Sequence, residues 1–236
     1  MELVVFRAHP VPLDGLVALP VELDGRQGDK RLSQDHCQIQ ADNDWQAIQC
    51  WLAEFEDSPQ THRNYRKEAE RLLLWSIKER RRPISSLLRE DFQAYQAFLA
   101  NPQPEVYWCG PRCPRHSTAW KPFQGPLRES SQRQSLIVVN ALLSYWVDAG
   151  YIRGNPLSLI RRRNKKLTPS TQDVIAQERF LDQRTWEHLR DYIASLPQGT
   201  RREIEQFERV RFLFHFLFLL APRVSEVASH SMNSFR

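Results

Sequence analysis

Apolar residues first recur at helical spacing from Asp42 onward, at Trp45, Ile48, Trp51, Leu52 and Phe55. Asp57, Ser58 and Pro59 interrupt that pattern, and Ser58 or Thr61 is placed to cap a second helix. At 100° per residue, Tyr65, Ala69, Leu72 and Ser76 share one side of it, while Arg63, Arg66, Lys67 and Arg71 fall roughly opposite. The pattern predicts one buried face and four cations turned outward, partly neutralised by Glu68 and Glu70. A third helix is expected from near Leu88, with Phe92, Tyr95, Phe98 and Leu99 towards the core. A fourth is expected over about Ser131 to Asp148, with Leu136, Val139, Leu143 and Trp146 as its stripe and Gly150 as its stop. Near the C-terminus, Trp186, Leu189, Tyr192 and Ile193 predict inward positions on a further helix. The segment from about Arg202 to Leu220, apolar nearly all round in its second half, predicts a buried core helix.

Between these helices the pattern lapses in three places. Residues 1–41 carry scattered prolines, glycines and charges and read as an N-terminal arm, with a short strand expected at Leu3–Arg7. Residues 101–127 are rich in proline and glycine and hold Cys109, Cys113 and His116. That Cys-x3-Cys-x2-His spacing offers three zinc-ligating side chains but no fourth nearby, so an irregular surface insertion is the competing reading and no metal is expected. After Asn155-Pro156 come Arg161, Arg162, Arg163, Lys165 and Lys166, and polar residues continue to Gln177, which marks 161–178 as a basic linker.

Charge sharpens the picture only through its placement. The chain has 236 residues, a net charge of +5 and a pI of about 9.2, a weak lean towards a polyanionic partner. The linker suits a strap along a phosphate backbone, and equally a solvated basic loop. Ser131, Arg133 and Gln134 open the fourth helix, where small polar residues serve phosphate contact or ordinary capping. The start of the chain does not read as a signal peptide, and its longest apolar stretch, Phe212 to Ala221, is broken by His215 and too short to span a bilayer. With four cysteines and no disulfide framework expected, a cytoplasmic setting without membrane contact is the expectation.

Two stretches together resemble the tyrosine recombinase (phage integrase) family. Thr61-x3-Tyr65 opening a basic amphipathic helix, Ser131 through Tyr145-Trp146, and Gly150-Tyr151-Ile152 followed by Asn155-Pro156 resemble the family's core-binding domain. Phe180-Leu181 onward is similar to the start of its catalytic domain, leading into Leu220-Ala221-Pro222-Arg223-Val224-Ser225-Glu226-Val227. The family pattern there is Thr-Gly-Leu-Arg-x-Ser-Glu-Leu, so Arg, Ser and Glu match in register, while Leu220, Ala221 and Pro222 depart from it.

The resemblance implies a mainly α chain in four parts: the arm (1–41), a helical bundle core-binding (SAM-like) domain (42–160), the basic linker (161–178) and an incomplete start of the catalytic domain (179–236). It implies double-stranded DNA as partner, with other recombinase subunits on the same DNA, and a phosphotyrosyl chemistry that needs no cofactor. Arg223 matches the first catalytic arginine, whose guanidinium would hold the oxygens of the attacked phosphate. Glu226 is read as its structural support. The family's lysine, His-x-x-Arg pair and nucleophilic tyrosine follow that arginine. Here thirteen residues follow Arg223 and none is tyrosine, so the chain is expected to be inactive alone. Two other readings stay open: a non-catalytic DNA-binding or regulatory module, and a helical protein-interaction domain with an incidental basic face.

Overall fold

The computed structural model describes residues 10–13, 19–33, 35, 37–161, 182–221 and 226, with the backbone alone at 160 and 161. The fold is mainly helical, and the described residues form no strand. Chain contacts divide it into two units, Met1–Leu167 and Thr168–Arg236.

The first unit is a bundle of α1 (Asp44–Ala53), α2 (Pro59–Trp75), α3 (Arg89–Ala100) and α5 (Glu129–Asp148), with short α4 (Glu105–Trp108) and α6 (Ser158–Arg161) in the connections. The Asn43 side chain accepts from Gln46 N at 2.9 Å and caps α1. Pro59 occupies the first turn of α2, where its missing N–H costs nothing. At the turn between them Trp51 stacks on Tyr65, ring centroids 5.0 Å apart, with Phe55 edge-on to both. α2 runs into a π-helical turn, Ser76–Arg80, which ends at Arg81 in the left-handed region (φ 53°). Asp91 then serves two elements: its carboxylate accepts from Leu88 N at 2.8 Å, capping α3, and from Arg80 Nε at 2.7 Å. Gly150 (φ 69°) ends α5, and Tyr151 turns back onto Trp146.

The expected stripes form the core. Ile48, Trp51, Leu72, Phe92, Tyr95, Leu99, Val139, Leu143 and Trp146 are buried in one cluster. The residues read as an arm join that cluster where they are described. Leu13 and Ala41 are buried, Asp44 N donates to Asp24 O (2.8 Å), and Arg31 forms an antiparallel bridge with Ile152. The expected strand at Leu3–Arg7 lies outside the described residues.

The second unit holds α7 (Gln183–Ala194) and α8 (Arg201–Leu220). Asp182 caps α7, and a reciprocal Thr200–Glu203 pair caps α8. Trp186 lies flat on Phe218, centroids 3.9 Å apart. Two expectations are corrected here. Tyr192 points outward rather than inward, since Ile193 takes the packed position beside it. No residue of α8 is buried: Phe212, Leu219 and Leu220 are 60%, 73% and 64% exposed. Periodicity registers that the helix is apolar all round, but the contacts α8 makes cover only part of its circumference.

Candidate nucleic-acid interface

Part of the first unit's charged side chains collects in a groove of about 700 Å³ between α2, the 109–128 segment and the start of α5. α2 supplies Arg63, Lys67, Glu70 and Arg71; the segment supplies Arg112, Arg115, Lys121 and Arg128; α5 supplies Ser131. Seven cationic side chains thus face one carboxylate along the lining.

The floor is neutralised by ion pairs. Arg71 is not turned outward, contrary to the helical-wheel expectation. It is buried, donates from Nε to Pro122 O (3.0 Å) and from Nη1 to Glu68 (3.0 Å), and lies over the Phe123 ring at 4.4 Å. The cause is tertiary: the 109–128 segment folds down on that side of α2 and encloses the guanidinium. Glu68 and Glu70 are buried as well, rather than screening a solvated face. Glu70 accepts a two-pronged contact from Arg115 (2.7 and 2.9 Å) and the Leu13 N–H (2.7 Å). Lys67 leans on Glu68 at 3.1 Å.

The rim is different. Arg63, Arg112 and Arg128 are exposed, with no acidic partner among the described residues. Their charges are uncompensated and converge on one open groove, which is what a chain of phosphates requires. The wall is well anchored: Trp108 is fully buried, Phe123 N donates to Trp108 O, Gly110 N donates to Phe123 O, and Arg115 lies over Trp120.

Of the residues expected to contact DNA, Arg63, Lys67, Arg71 and Ser131 come together in the groove. Arg66 is half-buried and does not line it. Arg133 is exposed and within 3.5 Å of Glu129, and Gln134 is exposed beside it. The side chain of Arg161, and Arg162, Arg163, Lys165, Lys166 and the catalytic candidate Arg223, lie outside the described residues. Arg112, Arg115, Lys121 and Arg128 were missed by periodicity, because they sit in a segment with no helical repeat. The spacing of basic residues through Arg112–Arg128 was the signal available.

Among the described residues no group of three or more His, Cys, Asp or Glu side chains is arranged to hold a metal ion, Cys109, Cys113 and His116 included. No described helix is long and apolar enough to cross a membrane. No family model, curated protein or solved structure matches this chain.

Proposed function

We propose that the chain grips duplex DNA as the DNA-binding portion of a tyrosine recombinase. The observation that carries the reading is the groove whose rim presents Arg63, Arg112 and Arg128 without acidic partners above a floor locked by the Arg71–Glu68 and Arg115–Glu70 pairs. The paired floor ties the 109–128 segment to α2, which fixes the backbone positions from which the rim cations project. In this reading α1, α2, α3 and α5 are the core-binding (SAM-like) bundle, Arg161–Lys166 straps the backbone, and Arg223 holds the oxygens of a target phosphate. The order of the sequence motifs around the basic segment supports the assignment to this family over an incidental basic face. Its place of action is the cytoplasm, its partners are duplex DNA and further recombinase subunits, and it requires no cofactor.

The test is a double charge reversal at the rim, Arg63→Glu with Arg112→Glu, in the full chain. Both side chains are exposed, so the fold should persist. Fluorescence anisotropy with a labelled duplex should show binding about tenfold weaker or worse, with the slope of log K against log salt shallower by about 2. A folded double variant with unchanged affinity and slope would remove the groove from the interface.

A further inference from the structure

A second basic cleft, of about 610 Å³, lies in the same unit and shares no residue with the groove. Its cations come from three separate stretches of chain: Lys30 from the N-terminal residues, Arg89 from the first turn of α3, and Arg153 from the turn after α5. The Lys30 ammonium donates to Leu87 O, and Arg153 N donates to Lys30 O (2.9 Å), so the two stretches are tied together. Arg89 has Glu90 at 3.7 Å, a loose and exposed contact, and the Arg153 guanidinium has no partner among the described residues.

The cleft also has a defined relation to α5. Asn155, on its wall, donates from Nδ2 to Ser144 Oγ (3.1 Å) and Asn140 Oδ1 (3.3 Å). The groove described above reaches α5 at Ser131. Ser131 and Asn140 are nine residues apart, which on an α-helix is about 180° around the axis and about 14 Å along it. The two clefts therefore flank α5, and the exposed ridge of Arg133, Gln134 and Ile137 stands between them. A DNA duplex presents two phosphate strands, one for each cleft. Ser158 and Leu159 on the cleft wall lead directly in sequence to Arg161, Arg162 and Arg163.

We propose that the Lys30–Arg89–Arg153 cleft is a second phosphodiester-binding site, which holds the strand opposite the one held by the Arg63–Arg112–Arg128 groove. This rests on the DNA-binding reading above. It assigns the residues before α1 a direct part in binding, in addition to their part in the core.

The experiment reverses Arg89 and Arg153 together (Arg89→Glu, Arg153→Glu) in the full chain. It compares this variant with the Arg63→Glu/Arg112→Glu variant on one labelled duplex across a series of KCl concentrations. Arg153→Gln serves as a milder neutral variant should the reversal disturb folding. The expected result is affinity about tenfold lower and a salt slope shallower by about 2 for the double reversal, and by about 1 for Arg153→Gln. Unchanged affinity in folded Arg89/Arg153 variants, while the Arg63/Arg112 variant weakens, overturns the second site and leaves the DNA-binding reading standing. Weaker binding with an unaltered salt slope also overturns it, because the loss would not then come from phosphate contacts. If neither pair affects binding, both proposals fall.

Discussion

Asp44 is the residue on which the first unit converges. It is fully buried, and its two carboxylate oxygens accept from Ser85 N (2.9 Å), Ser85 Oγ (3.1 Å) and Tyr151 Oη (2.9 Å). Gly25 passes so close that a Cβ there would come within 2.2 Å of the carboxylate, and its φ of 88° is one that residues with a Cβ rarely adopt. Burial dominates the electrostatics. It pushes the Asp44 carboxyl from 3.8 up to about 6, against the opposing hydrogen bonds from Ser85 and Tyr151 and the charge of Arg31. Below pH 3.8 the group is protonated in folded and unfolded chains alike. Between 3.8 and about 6 the folded chain keeps a proton that the unfolded chain has lost, so this contribution to stability disappears as pH rises through that window. The size is about 3 kcal/mol. Asp44→Asn cannot titrate. Urea unfolding of both proteins from pH 7 to pH 4 should therefore show wild type gaining roughly 2 kcal/mol relative to the variant, most of the full amount. A gap that stays constant with pH would mean that Asp44 folds as an ordinary carboxylate.

At the scale of elements, the 101–128 connection behaves as part of the bundle rather than as a surface loop. Trp108 is its anchor: fully buried, edge-on to Phe98 (5.0 Å), and donating from Nε1 to Glu79 (2.9 Å). Trp108→Ala should cost about 3–5 kcal/mol in denaturant unfolding, the usual range for a buried tryptophan. A loss below about 1 kcal/mol would place the segment outside the cooperative core. The contrast with the helices shows what the sequence could convey. α1, α3 and α5 were readable because Ile48, Trp51, Phe92, Tyr95, Val139 and Trp146 repeat at the period of the element that buries them. Nothing periodic marks Trp108, Trp120 or Phe123, whose burial depends on contacts across the fold. The site was half legible for the same reason. Arg63 and Lys67 follow from the pattern of α2. Arg112 and Arg128 required knowing where the insertion lands, and Arg71 was misplaced because a helical wheel cannot show what packs over it.

For the whole molecule, apolar material is divided unequally. The hydrophobic cluster runs from Leu13 to Leu157 and lies wholly within the unit Met1–Leu167. In the unit Thr168–Arg236, Ile193 is the buried hydrophobic residue among those described, while Phe212, Phe218, Leu219 and Leu220 on α8 are exposed. Apolar side chains clustered on one exposed helix favour self-association. Both basic clefts belong to the first unit. A fragment of residues 1–167 should therefore unfold in urea as a single cooperative step, with the midpoint that the first unit shows in the full chain. It should bind duplex DNA within about tenfold of full-chain affinity, because it keeps both clefts and Arg161–Lys166 and gives up the single phosphate contact proposed for Arg223. Light scattering at rising concentration should show less association for the fragment than for the full chain. A broad, non-cooperative transition would mean that residues 1–167 do not fold as one cooperative unit. Loss of DNA binding by a well-folded fragment would shift the essential phosphate contacts beyond Leu167.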